Sequence, residues 1–240
     1  MCNTDINRPI GPLKPFGDWK SVHIKECGEK LVPLSRVQAD FLVVEPEYFN
    51  KGIPGAVKEC YVREGVLKLL ANAAANLPPG YKFILYDSWR PVQVQKHIFN
   101  NYVAELKFQY PDLHFDKIVE LAQKYVSLPS EDINKPSPHN TGGALDISLL
   151  DTAGTKLDME AAFDVFVEEA RTRFYEEKLE KGEKLTEKEW IYCKNRRLLF
   201  NIMTGAGFTN YPEEWWHFDY GNQFWGFSTN SNAIYGKIEP

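Results

Sequence analysis

Residues 137–146 read S-P-H-N-T-G-G-A-L-D, a histidine and an aspartate separated by a pair of glycines. An imidazole and a carboxylate brought together suit a borderline metal ion such as zinc, and they equally suit a plain His–Asp hydrogen bond at a turn. This stretch alone leaves the two readings even. If 144–149 is extended, Leu145, Ile147 and Leu149 face one side while Ala144, Asp146 and Ser148 face the other. Asp146 is then kept away from the apolar core, among small neighbours. The Gly142-Gly143 turn can bring His139 back beside it.

Residues 212–221, P-E-E-W-W-H-F-D-Y-G, shift that balance. In an extended segment His217 shares a face with Trp215 and Asp219, with Trp216, Phe218 and Tyr220 opposite. Glu214 reaches the same site only from the turn that leads into the strand. Alone, the segment reads as an aromatic core around a satisfied histidine. With His139 and Asp146, His217 makes a three-donor set that leaves one tetrahedral position for water, the catalytic rather than the structural pattern of zinc. A nearby glutamate would then be the general base. In Y-D-S-W-R-P (86–91), Arg90 stands between a strand and a proline, at a sheet edge. Its permanent charge can stabilise an oxyanion, or simply pair with Asp87. His23, His97 and His114 lack such partners and read as surface or packing residues. Cys60 and Cys193 read as small buried groups.

These residues need a frame. A short strand within 38–49 ends at Pro46, and Val62, Val66, Leu69 and Leu70 lie at helical spacing in a helix predicted over 55–77. A strand at 81–91 runs into a helix at 91–106, which starts on proline. Further helices are predicted at 115–126, at the charged stretch 166–183 and at 187–207. Strands are predicted at 144–151 and, as an aromatic closing strand, at 215–225. Strands and helices mix without regular βαβ alternation, which implies an α+β fold with helices on a mainly antiparallel sheet. No linker composition divides the chain, so one domain is expected.

The 240 residues carry a net charge of -5, and the 28 basic residues are dispersed, which argues against a nucleic-acid partner. No apolar run approaches the roughly 18 residues of a membrane span. The first residues have neither the charged nor the apolar region of a signal peptide. Cysteines at 2, 27, 60 and 193 form no C-x-x-C pair and read as free thiols, so a cytoplasmic location is expected. The alternative is a periplasmic or lipid-anchored protein, with Cys2 as the lipidated residue. Oligomeric state is not legible.

Taken together, Y-D-S-W-R-P, S-P-H-N-T-G-G-A-L-D and E-E-W-W-H, with N-R-R-L-L-F-N-I-M-T-G-A-G-F (195–208) between them, resemble the zinc D-alanyl-D-alanine dipeptidases. That group includes the vancomycin-resistance dipeptidase and is related to D,D-carboxypeptidases and Hedgehog-like zinc folds. The similarity runs over about residues 36–225, which implies an N-terminal arm (1–35) packed on a zinc D,D-dipeptidase domain (36–240). The resemblance implies one zinc ion per chain on His139, Asp146 and His217, Glu214 as base and Arg90 as the transition-state arginine. It also implies Asp164 as receiver of the substrate's amino group and Ser137 near the substrate's carboxyl end. Asp164 reads equally as a helix N-cap. The expected reaction is hydrolysis of D-alanyl-D-alanine to two D-alanine by a zinc-held water. The rival readings are a D,D-carboxypeptidase or peptidoglycan endopeptidase on the same site, and a non-catalytic zinc-binding module. The charged stretch 176–190 reads as an insertion longer than in compact members, and the opening 35 residues match less clearly.

Overall fold

The alternation that begins at Ala144 becomes a strand buried on both faces, with another strand on either side. The computed structural model describes residues 5–15 and 17–240; Cys2, and with it the lipidation expectation, lies outside them. In chain order the strands are β1 (Leu31–Pro33), β2 (Leu42–Val44), β3 (Tyr61–Arg63), β4 (Lys82–Asp87), β5 (Ala144–Leu150), β6 (Thr209–Asn210) and β7 (His217–Asp219). The α-helices are α1 (Glu47–Asn50), α2 (Glu64–Ala74), α3 (Val92–Gln109), α4 (Phe115–Ala122), α5 (Phe174–Glu180), α6 (Glu187–Gly205) and α7 (Gln223–Thr229). The main sheet runs β2-β4-β5-β7-β6, parallel between β2 and β4 and antiparallel elsewhere. A second sheet pairs β1 with β3. The fold is α+β with a mainly antiparallel sheet, as the sequence implies.

Helices α2 and α6 cover one sheet face. Val66, Leu70, Leu199, Ile202 and Met203 pack there with Phe83, Leu85, Leu145, Ile147, Leu149 and Phe218. Helix α6 starts on a capping box, in which Thr186 and Glu189 satisfy each other's main-chain N–H groups. Asp146 and Ser148 point to the opposite face, as the strand phase requires, but that face is enclosed too: they are 2% and 1% exposed. Phe163 lies against Ile84, Tyr86 and Leu150 on this side. The α3–α4 pair builds a separate cluster around Val94, Ile98, Phe99, Ile118 and Ala122.

Several predicted elements are shorter or broken. The helix expected over 55–77 begins at Glu64, because Gly55 has φ +85 and Val62 lies opposite Val32 in the small sheet. The strand within 38–49 is confined to β2, and the chain turns helical after Pro46. The charged helix over 166–183 is divided into a 3-10 turn at Glu168–Ala170 and α5. Between them the Arg171 carbonyl accepts from Arg196 and the Thr172 N–H donates to the Pro212 carbonyl, so the main chain is satisfied outside any helix. The aromatic strand over 215–225 is β7 alone. Gly221 (φ +72) turns the chain, and the Asn222 side chain caps α7 by accepting from Trp225 N. Arg90 is not at a sheet edge: β4, which it follows, lies between β2 and β5.

Arg63 ties distant segments to the turn ahead of β5. It is 1% exposed and donates from Nε to the Thr141 carbonyl (2.8 Å) and from Nη2 to the Gly236 carbonyl (3.0 Å) and Glu26 (3.1 Å). No helix among the described residues is long and apolar enough to cross a membrane.

At the same turn a Cβ on Gly143 would stand 2.4 Å from the Tyr220 carbonyl oxygen, a main-chain atom that cannot swing aside. Gly143→Ala is expected to cost about 1–3 kcal/mol, the usual range for overpacking. Gly11→Ala, with nothing within 4 Å, is expected to leave stability unchanged. Urea unfolding midpoints read the difference, and equal midpoints would refute this close approach.

Candidate metal centre

The sheet register builds the centre. Asp146 in β5 lies directly opposite His217, the first residue of β7. His139 sits in the 3-10 turn Pro138–Thr141, and Gly142 (φ +69) reverses the chain so that β5 runs back past it. One ligand atom from each of His139, Asp146 and His217 lies within 4.8 Å of the others, and all three residues are buried. His139 Nε2 is 3.2 Å from His217 Nδ1 and 3.4 Å from Asp146 Oδ2; His217 Nδ1 is 3.1 Å from Asp146 Oδ1.

The outward ring nitrogens fix which lone pairs face inward. His139 Nδ1 lies 2.7 Å from the Ser88 carbonyl oxygen, which only accepts, so Nδ1 carries the proton and Nε2 the lone pair. His217 Nε2 lies 3.1 Å from Asp219 Oδ1, and the Asn222 side chain donates to that same oxygen (2.6 Å). With its Nε2 proton given to Asp219, His217 presents a lone pair from Nδ1. Two lone pairs and a carboxylate thus converge in a buried space, an arrangement that repels itself unless a cation joins it. Burial opposes the Asp146 charge, but His139 and His217 outweigh it and hold the carboxyl below the usual carboxylate range. Burial likewise opposes protonation of His217, but Asp219 and Asp146 prevail and raise its affinity for a proton. The cluster draws positive charge. Two nitrogens and one oxygen with second partners on the rings form a donor set that fits zinc.

Glu214 occupies the turn ahead of β7, where the sequence requires it, and its Oε2 is 4.0 Å from His217 Nδ1. Burial pushes its carboxyl up to about 8, with Asp146 and Asp164 adding to the rise and His217 and Arg90 opposing it. Strand alternation does not extend back through this turn. Trp216 lines the cavity beside His217, whereas Trp215 donates its indole N–H to the Ala161 carbonyl (3.0 Å).

Arg90 pairs with Asp87, the simpler of its two readings, and also reaches into the cluster. Its Nε pairs with Asp87 (2.8 Å) and Nη1 donates to Gln95 Oε1 (2.7 Å). Its Nη2 reaches Asp146 Oδ2 (3.2 Å) and the Tyr48 hydroxyl (3.4 Å). Asp164 is not a helix N-cap. It stands in a loop at φ +67, accepting from the Tyr48 hydroxyl (3.0 Å) and facing Lys51 Nζ at 3.5 Å.

One cavity, of about 450 Å³ including its open mouth, is walled by Arg90, His139, Asp146, Asp164, Glu214 and His217. Ser137 is not in that wall; its hydroxyl donates to the Leu128 carbonyl (3.0 Å). Tyr48, Gln95, Ser88 and Asp219 are site residues the motifs did not assign. Asp219 carried a signal, two positions from His217 on the same strand face. Tyr48 reaches the site only through tertiary folding, whereas Gln95 follows Arg90 by five positions and Ser88 offers a main-chain carbonyl from within Y-D-S-W-R-P. His23 and His114 are exposed and His97 contacts Asn101, away from the cluster.

The sequence profile of the D-ala-D-ala dipeptidase family matches residues 29–233. The D-alanyl-D-alanine dipeptidase of Synechocystis sp. is 32% identical over 246 residues, covering 95% of this chain and 98% of that one. The D-alanyl-D-alanine dipeptidase of Escherichia coli is 31% identical over 161 residues, covering 67% of this chain and 66% of that one. Among solved structures, a mutant of the vancomycin-resistance D,D-pentapeptidase VanY in complex with Zn(II) overlays with a TM-score of 0.41 at 17% identity, over 73% of this chain and 83% of that one.

His139→Ala is expected to lower zinc content measured by atomic absorption, and undiminished content would remove His139 from the ligand set. Asp219→Asn is expected to weaken zinc about 10–100-fold in competition with a chelator, because it loosens the His217 ring. An unchanged affinity would show that the ring is held otherwise.

Proposed function

The chain belongs to the D-Ala-D-Ala dipeptidase family, and on that footing we propose that it hydrolyses D-alanyl-D-alanine to two D-alanine, using one zinc ion held by His139, Asp146 and His217. The observation that carries this reading is the pair of imidazole lone pairs turned toward the Asp146 carboxylate, each fixed from behind by the Ser88 carbonyl or Asp219. A zinc ion held there would supply Lewis-acid polarisation to a carbonyl or a water beside it.

The chain's own residues supply the rest. Glu214 takes a proton from the attacking water and returns one to the leaving amine. Arg90, locked by Asp87 and Gln95, keeps its charge at the cavity and stabilises the oxyanion as it develops. Asp164 receives the free ammonium of the substrate, and the Tyr48 hydroxyl holds one of its oxygens while the other faces Lys51. For Ser137, a place at the substrate's carboxyl end would require its hydroxyl to leave the Leu128 carbonyl.

Glu214→Gln is expected to retain zinc and lose at least about 100-fold in kcat, the usual scale for a lost general base. A zinc-loaded, active variant would remove Glu214 from that role. Free D-alanyl-D-alanine is expected to be cleaved in strong preference to its N-acetyl form. Comparable turnover of the two would favour a D,D-carboxypeptidase, and turnover of neither would favour a binding module.

A further inference from the structure

Arg196 lies on α6 in the N-R-R stretch. It is 2% exposed, and its donors go to main-chain carbonyls. Nε and Nη2 both reach Met159 (3.2 and 2.6 Å), Nη2 also reaches Glu169, and Nη1 reaches Arg171 (2.8 Å). The Tyr175 ring lies 4.9 Å from its guanidinium carbon. Those carbonyls belong to the two feet of one loop, and Asp164 stands between them in the left-handed region, which aspartate enters more readily than most residues with a side chain.

The main-chain bonds within the loop are short-range ones, from Val165 N to Ala162, Val167 N to Val165, Ala170 N to Val167 and Arg171 N to Glu168 (3.0–3.3 Å), and its Phe163 and Phe166 rings rest on Tyr86, Trp216 and Tyr125. None of these joins one foot to the other. The loop is also joined to the turn that bears Glu214. Trp215 donates from its indole to the Ala161 carbonyl and from its main chain to the Ala170 carbonyl, both at 3.0 Å. Arg196 therefore binds carbonyls of both feet from one side chain, Trp215 docks the loop on the catalytic turn, and Tyr48 and Lys51 meet Asp164 at its tip. A planar guanidinium suits this task because its fork of donors reaches carbonyls from two chain segments at once, whereas a lysine ammonium is a single point on a flexible stem.

We infer that Arg196 is a positioning residue for amine recognition: it staples the loop 159–171 so that Asp164 faces the Glu214–His217 turn at a fixed span. This rests on the reading of Asp164 as the ammonium receiver. The staple keeps the recognition carboxylate and the scissile bond in register, and so decides how sharply a free amine is preferred.

The test compares the zinc-loaded full chain with Arg196→Lys, Arg196→Met and, as a reference, Asp164→Asn. Amide hydrogen exchange over 160–168 is read by mass spectrometry, beside the turnover ratio of D-alanyl-D-alanine to its N-acetyl form. In Arg196→Lys, exchange over 160–168 should rise at least about tenfold while 144–150 and 217–219 stay protected, since only a local opening is released. Zinc content should hold, and the free-amine preference should fall in the direction set by Asp164→Asn. Arg196→Met should do the same more strongly; if it does not fold, the lysine variant decides. Unchanged exchange over 160–168, or an equal rise in β5 and β7, overturns the proposal. So does a local rise with an intact preference where Asp164→Asn abolishes it. If Asp164→Asn itself keeps the preference, the Asp164 reading fails, and exchange alone decides whether Arg196 holds the loop.

Discussion

The register between β5 and β7 sets Asp146 opposite His217, and a slip of one residue would carry Asp146 into the side that Leu145 occupies. That slip would bury a carboxylate among Phe83, Leu149 and Phe218 and expel an apolar side chain, so hydrophobic packing enforces the pairing. The metal-binding geometry is thus held mainly by the face of the sheet that never touches a metal. Gly143 completes the lock: its carbonyl accepts from Tyr220 N at 2.8 Å, at the end of the same β5–β7 pairing.

On the opposite face the constraint is electrical. Asp87, Arg90, Asp146, Glu214, His139, His217 and Asp219 are all buried, and each charge has to be met by a neighbour. Arg90 is shared between Asp87 and Asp146, the two histidines between carboxylates and a carbonyl. Asp87 remains the less well compensated member: burial raises its proton affinity against the pull of Arg90 and His139. Such a network tolerates a cation at its centre better than a vacancy of charge, which connects the second partners of the rings to the capacity of the site.

The motifs made the centre legible because its residues sit on β5, on β7 and at the ends of short turns. Two-residue periodicity placed Asp146 on the correct face, and the three-residue offset placed Glu214 on a turn. Legibility ended where contacts join distant segments. Tyr48 lies in α1, far in sequence from Arg90 and Asp164, and no spacing announces it. Ser88 contributes a carbonyl, which no side-chain motif can encode. The same cause broke the helix predictions. Val62 satisfies helical spacing with Val66, but its actual partner is Val32; the charged stretch after 166 looks amphipathic, but Arg196 and Pro212 take up its main-chain groups. In each case tertiary partners overrode a local pattern that was real but incomplete.

The span of Arg63 carries a consequence for when the centre comes into being. The turn that bears His139 is gripped by a side chain that also holds Glu26 and, 173 residues further along the chain, the carbonyl of Gly236. Contacts at such separation close late, because the loop between them has to be ordered first. A chain still emerging from the ribosome would therefore carry all three donors before it could arrange them. Competence would arrive only once the segment around Gly236 has joined the grip of Arg63.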